Sequence, residues 1–222
     1  MTRGKFIVIE GGDGVGKDTQ IELLKKDFFG DAFVYTRDPG GTDLGHTLRE
    51  ILQHSAHIAQ ETELLLFLAS RAQLVHEVIL PALAAGKHVI SNRFDLSMTA
   101  YQIYARERHA AADDMKLLNA FASGGAVPDL TVLLDAPVEV GLARLLKRGE
   151  KLTRFEQEAR AFHERVRQGY LEGAKNIPDI VIVDARRRVE EVYRDVHAAV
   201  AACVAAADVT RGNPRRVKPD SV

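Results

Sequence analysis

KFIVIEGGDGVGKDTQ, Lys5 to Gln20, is the stretch that decides the fold. Phe6, Ile7, Val8 and Ile9 make a short apolar run, the pattern of a strand buried on both faces. Gly11, Gly12, Gly14 and Gly16, with Asp13 and Val15 between them, follow as a loop whose successive N–H groups can turn inward around phosphate oxygens. Lys17 adds a full positive charge, and the helical pattern through Ile21, Leu23 and Leu24 adds the partial charge of a helix N-terminus. Strand, glycine-rich loop with lysine, then helix is the context in which G-x-x-x-x-G-K marks a nucleotide-phosphate site. One position departs from the motif. Asp18, followed by Thr19, stands where a Ser or Thr hydroxyl normally meets magnesium. A carboxylate ligates magnesium too, but without the metal it repels phosphate. For two unit charges roughly 4 Å apart the repulsion is about 4 kcal/mol at an effective dielectric of about 20.

Outward from this stretch, further buried-strand patterns fall at 33–36 (FVYT), 87–91 (KHVIS), 130–135 (LTVLLD) and 179–184 (DIVIVD). Helical patterns separate them, over 19–28, 44–53, 61–85, 95–123, 138–148, 156–176 and 189–206. Strands alternating with long crossovers predict an α/β fold with a five-stranded parallel sheet covered on both faces. Ligands of such sheets bind beyond the carboxyl ends of the strands. No repeat or internal linker interrupts the pattern. One domain over 1–207 is expected, and then a flexible basic tail, 208–222, carrying Arg211, Arg215, Arg216 and Lys218.

A formal net charge of -1 gives no global pull toward nucleic acid or membrane, so basic residues matter here by position. Cys203, the only cysteine, excludes an internal disulfide and a cysteine metal cluster. The chain runs at once into its first strand, and no apolar run approaches membrane-spanning length. A cytoplasmic protein is expected.

Four further segments carry candidate chemistry. RDPGGTDLG, 37–45, puts Arg37 at a strand's ligand-facing end, before a Pro39-Gly40-Gly41 turn; taken alone it reads as a turn. In LLLFLASRAQL, Phe67 and Arg71 lie four apart on one helical face and are expected to meet. Together they suit a nucleobase, one stacking and the other hydrogen-bonding a ring carbonyl, although the spacing equally fits a core phenylalanine and a surface arginine. SNRF, 91–94, places Arg93 just past the third strand, within reach of a second phosphate. RLLKRGEKLTRFE, 144–156, sets Arg144 and Arg148 on one helical face and Arg154 beyond a flexible Gly149-Glu150-Lys151 segment. An arginine-bearing flap fits phosphoryl transfer; a solvated charged helix and loop fits the spacing as well.

Taken together these motifs resemble bacterial thymidylate kinases, of the nucleoside-monophosphate kinase group of P-loop proteins. The similarity runs in order from Phe6 to about Asp184. FIVIEGGDGVGK resembles the phosphate loop and RDPGGTDLG the Arg-Glu-Pro-Gly-Gly segment, with Asp38 for glutamate. FLASRAQL is similar to the base-binding helix, NRFDLSMTAYQ to the Asp-Arg-Tyr/His segment, PDLTVLLDAP to the fourth strand and RGEKLTRFEQE to the lid, about 144–156. The resemblance implies a three-layer α/β/α P-loop kinase fold and a homodimer. It also implies transfer of the γ-phosphoryl of ATP to dTMP with magnesium, yielding dTDP and ADP.

The resemblance further implies roles for individual residues. Gly11, Gly12, Asp13, Gly14, Val15, Gly16, Lys17, Asp18, Thr19 and Arg144 would contact the donor nucleotide, with Asp18 in the magnesium shell. Asp13 would also lie near the dTMP sugar and acceptor phosphate. Arg93 would grip that phosphate, with Arg37 beside it and Pro39 in the adjoining turn. Phe67 would stack on thymine, Arg71 would bond its carbonyl, and Tyr101 would wall the deoxyribose against a 2′-hydroxyl. Arg148 or Arg154 would supply charge from the lid. The acceptor phosphate is already a nucleophile, so positioning and neutralisation suffice.

Several positions depart from the family pattern. Asn92 replaces the aspartate before the motif arginine, and with Asp18 it is expected to make a charge-neutral swap. Thr153 replaces a lid aspartate, and IYARERHAAADD replaces a glycine-rich stretch. Met98 stands where a polar residue reads the thymine edge, a task Ser97 and Gln102 are expected to take. The alternatives are a kinase for another pyrimidine monophosphate, such as dUMP or dCMP, and a non-catalytic nucleotide-binding relative.

Overall fold

The computed structural model describes residues 3–211. Five strands, β1 (Phe6–Gly11), β2 (Phe33–Arg37), β3 (His88–Asn92), β4 (Leu130–Asp135) and β5 (Ile180–Asp184), form one parallel sheet in the order β2-β3-β1-β4-β5. Its helices are α1 (Lys17–Asp27), α2 (Asp43–His54), α3 (Gln60–Leu74), α4 (Leu80–Ala84), α5 (Asp95–Met98), α6 (Ala112–Ser123), α7 (Val138–Arg148), α8 (Arg160–Ala174) and α9 (Val189–Arg211).

β1 is buried along its whole length because alternate residues feed opposite cores. Ile7 and Ile9 pack with Leu24, Val132, Val196 and Val200; Phe6 and Val8 pack with Leu74, Ile79, Leu83 and Val89. The strand order turns back on itself at β1, which is where an open α/β sheet leaves a crevice for ligands. Register brings the relevant ends level: Asn92 is the partner of both Ile9 and Arg37, and Gly11 pairs with Leu134. The glycine loop, Arg37 and the Asn92-Arg93 pair therefore leave the sheet along one edge.

All five expected strands form, while the long helical patterns are subdivided. The pattern over 61–85 is two α-helices joined by a π-helical turn, Val75–Ile79, just before Pro81. Proline cannot donate to the carbonyl four residues back, so the hydrogen-bond ladder is reset there. This span, Gln60–Ala84, is long and apolar enough to cross a membrane by length and composition, contrary to expectation. Its Leu74, Val75, Ile79 and Leu83 are nonetheless packed in the sheet core. The pattern over 95–123 breaks into α5, a π-helical segment Thr99–Ala105, a 3₁₀ turn His109–Ala111 and α6. α8 begins at Arg160 rather than 156, because 149–159 is a segment of turns and bends outside any helix. α9 carries 208–211 as helix, and 212–222, the rest of the expected tail, lies outside the described residues.

Candidate active site

A cleft of about 370 Å³ opens at the carboxyl edge of the sheet. Asp13, Lys17, Asp18, Arg37, Pro39, Phe67, Arg71, Arg93, Ser97, Met98, Tyr101, Gln102 and Arg148 all line it. The chain thus brings most of the predicted residues together from five separate segments, 13–18, 37–39, 67–71, 93–102 and 148.

The loop's floor is set by glycine. Gly14 (φ +73) and Gly16 (φ +103) hold left-handed backbone that a side chain would strain. Gly14 also backs onto α7: a Cβ on it would lie 2.2 Å from Gly141 O, and one on Gly141 2.5 Å from Asp13 O. Lys17 Nζ curls back to donate to Gly11 O at 2.9 Å and Gly12 O at 2.6 Å. Burial and the nearby Arg93 lower its pKa to about 7. Thr19 is exposed on the first turn of α1, away from the cleft lining.

Arg93 is the hub of a hydrogen-bond network in the cleft. Its Nη2 donates to Asp13 at 2.8 Å and to Tyr101 Oη at 3.0 Å, and its Nη1 to Gly11 O at 3.0 Å, Ser97 Oγ at 3.2 Å and Tyr170 Oη. Tyr101 Oη in turn donates to Asp13 at 2.7 Å. Burial by itself would raise the Asp13 pKa, but Arg93, Lys17 and the Tyr101 hydroxyl hold it below the usual carboxylate value. Arg37 and Arg49 join Arg93 on this wall; Arg49 also donates to Pro39 O at 3.1 Å. Burial, then the charges of Arg37 and Arg93, lower the Arg49 pKa, an effect that Asp18 and Glu50 only partly offset. Such a wall suits an anion.

Asn92 Nδ2 donates to Asp18 Oδ1 at 2.8 Å, and Arg37 lies 3.6 Å from the same oxygen. Asn92 Oδ1 is buried without a hydrogen-bond partner among the described residues. One open carboxylate and one orphaned carbonyl oxygen are the hard-donor chemistry that magnesium takes, so these residues fit the ion. No group of three acidic, histidine or cysteine side chains forms a cage among the described residues. An ion carried in on phosphate oxygens does not need one.

Several residues differ from expectation. Phe67 and Arg71 share the cleft but do not pair: Arg71 lies over Phe94, at 5.1 Å, and Phe67 faces Phe155, at 5.8 Å. Arg71 is held by buried Asp38 at 2.6 Å, by Phe94 O at 2.9 Å and by Asn119, which leaves the rest of its N–H groups for a ligand. Ser97 is not free to read a base. Its hydroxyl donates to Glu10 at 2.6 Å, because a fully buried carboxylate must be given donors. Gln102 Nε2, by contrast, is buried without a partner among the described residues. Arg144 braces the loop by donating to Val15 O at 3.3 Å and to Ala185 O at 3.0 Å. Arg154 does not line the cleft: it turns to Glu63 at 2.8 Å, whose buried charge attracts it. Arg148 does line it, paired with Glu150 and Glu156. Thr153 serves where an aspartate was expected, since its Oγ1 accepts from the Glu156 N–H at 3.3 Å while the Glu156 carboxylate accepts from the Thr153 N–H at 2.8 Å.

Sequence reading missed Glu10, Arg49, Phe155 and Tyr170. Glu10 had a signal, a carboxylate directly after the apolar run of a strand buried on both faces. Tyr170 and Phe155 had none, since aromatic residues on an amphipathic stretch read as core.

Comparison with known proteins agrees with this geometry. Residues 9–196 match the family model described as Thymidylate kinase. The thymidylate kinase of Kosmotoga olearia is 44% identical over 195 residues, covering 86% of this chain and 92% of that protein. That of Carboxydothermus hydrogenoformans is 45% identical over 203 residues, covering 87% and 95%. That of Pseudomonas putida is 44% identical over 200 residues, covering 88% and 94%.

Proposed function

This chain belongs to the thymidylate kinase family and phosphorylates dTMP, and we propose that it does so with ATP as donor, magnesium as cofactor and a homodimer as the working unit. The observation that carries this reading is the lining of one cleft, in which Lys17 and the glycine loop meet Arg37, Arg49 and Arg93. Two polyanions are thereby brought head to head with their repulsion offset. Lys17 and the loop amides hold the donor phosphates; Arg93, fixed by five acceptors, holds the acceptor phosphate. An oxygen of the dTMP phosphate bonds to the γ-phosphorus as the bond to the β-γ bridging oxygen breaks, and ADP departs with that electron pair. Arg148 supplies positive charge from the lid. Asp18, with the Asn92 carbonyl, would hold magnesium, which neutralises charge on the donor phosphates. Phe67, Arg71 and Gln102 form the base pocket, and Tyr101 lies against the sugar.

Exposed Leu65 on α3 and Leu117, Leu118 and Phe121 on α6 support a dimer through these helices. A cytoplasmic location without nucleic-acid or membrane partners accords with the balanced charge. Product analysis with ATP, magnesium and a panel of dTMP, dUMP and dCMP tests the reading. dTDP should form fastest; ATP binding with no diphosphate product at any magnesium concentration would reject it.

A further inference from the structure

Three segments of the chain converge on one buried carboxylate. Glu63, near the start of α3, has a side chain only 1% exposed. It accepts from Arg106 at 3.2 and 2.9 Å and from Arg154 at 2.8 Å. Arg106 immediately follows the π-helical segment that carries Tyr101, and Arg154 belongs to the lid. Glu158, also in the lid, accepts from Arg106 at 2.7 Å, so two carboxylates face two guanidiniums. Arg154 is fixed again at the carbonyl end of α2, where its Nε donates to Leu52 O and its N–H to Gln53 O, each at 3.1 Å. Beside it Phe155 sits against Phe67 at 5.8 Å and Tyr101 at 6.0 Å, with the Arg154 guanidinium 4.4 Å over its ring.

The half of the lid around Phe155 is therefore tied to the walls of the acceptor pocket, while Arg148 and Lys151 line the cleft. A buried ion set adds little net stability over apolar packing, but separating one partner strands a charge. Lifting Phe155 would strand Glu63 in part.

Resting on the dTMP kinase reading above, we propose that Glu63 is a positioning residue for phosphoryl transfer: through Arg154 it latches the lid onto the dTMP pocket, so that pocket occupancy and lid closure are one event. A base between Phe67 and Tyr101 buttresses Phe155, Phe155 keeps Arg154 within reach of Glu63, and the latched lid holds Arg148 and Lys151 over the cleft.

The test combines trypsin cleavage after Lys151, an exposed residue of the lid, with dTMP calorimetry and steady-state kinetics on the full chain. In the wild type dTMP should slow cleavage. In E63Q and R154M cleavage should be about tenfold or more faster, the scale of one lost charge-assisted hydrogen bond. dTMP should no longer protect these variants, and kcat and KM for dTMP should change together. R154K, which keeps a cation for Glu63, should retain most of the protection. R154M leaves Glu63 paired with Arg106, so it decides the matter even if E63Q does not fold. Lost turnover with protection intact would overturn the latch, as would wild-type enzyme that binds dTMP without gaining protection. A wild type that binds no dTMP would instead overturn the functional reading beneath it.

Discussion

Asn92 and Asp18, the two residues that the sequence reading paired as a charge-neutral swap, are hydrogen-bonded to each other, Nδ2 to Oδ1 at 2.8 Å. A neutral amide thus caps the carboxylate where a second carboxylate would repel it. Asp18→Ser alone should lower dTDP formation and raise the magnesium requirement, because it removes the exposed acid. Asn92→Asp alone should also lower activity, by placing two carboxylates in contact. The double variant should recover most of the loss, with a coupling of about 1–3 kcal/mol in a double-mutant cycle. Equal activity of all three variants would reject the swap.

Lys17 carries a pKa of about 7 because it is buried beside Arg93. A bound phosphate stabilises the ammonium and raises that value. Above pH 7 the free protein therefore holds fewer protons on Lys17 than the complex does, and nucleotide binding takes up a proton. Affinity should fall as pH rises from 7 toward the bound-state pKa. Calorimetry at pH 8 in buffers of different ionisation enthalpy should show net uptake; proton release would contradict the assignment.

Arg49 was not evident in the sequence, yet it lines the cleft with Arg37 and Arg93, to which the proposed function gives the acceptor phosphate. Arg49→Ala should raise KM for dTMP by about tenfold or more, the scale of one lost charged hydrogen bond. KM for ATP should be nearly unchanged, since the donor lies across the cleft. Initial-rate kinetics with each substrate varied separates the two.

Phe121 is 85% exposed and Leu117 72% exposed on one helix. If α3 and α6 form the dimer interface, Phe121→Glu should shift sedimentation toward the monomer at micromolar concentration. A wild type that sediments as a monomer would remove the interface altogether.

The parallel sheet was legible because a strand buried on both faces is rich in apolar residues, as the FIVI of FIVIEG, the VI of KHVIS and the VLL of LTVLLD are. The phosphate loop was legible because glycine is a backbone requirement that local sequence states outright. Interruptions within helices were not. Nothing local in AYQIYARERH says where a π-helical segment gives way to a turn at Glu107, whose φ is +56. The direction of an arginine was equally hidden. Arg148 and Arg154 read alike along the chain, and only the tertiary placement of Glu63 sends one away from the cleft. Buried carboxylates such as Asp38, which holds Arg71, and Glu63, which holds Arg154, decide where these basic side chains go.

Gly141→Ala should disturb the donor site from outside it. The added Cβ would come 2.5 Å from Asp13 O, so either the loop or α7 must move. Such overpacking costs about 1–3 kcal/mol. Thermal unfolding should show that loss, and KM for ATP should rise.

The glycine contact between Gly14 and Gly141 lets α7 pack directly on the loop, and Gly149, left-handed at φ +71, ends that helix. Substitutions in residues 149–159 leave that glycine packing untouched, so adaptation to a colder or hotter environment has room there. Affinity for one nucleotide and tempo of the cycle are in that sense inherited separately.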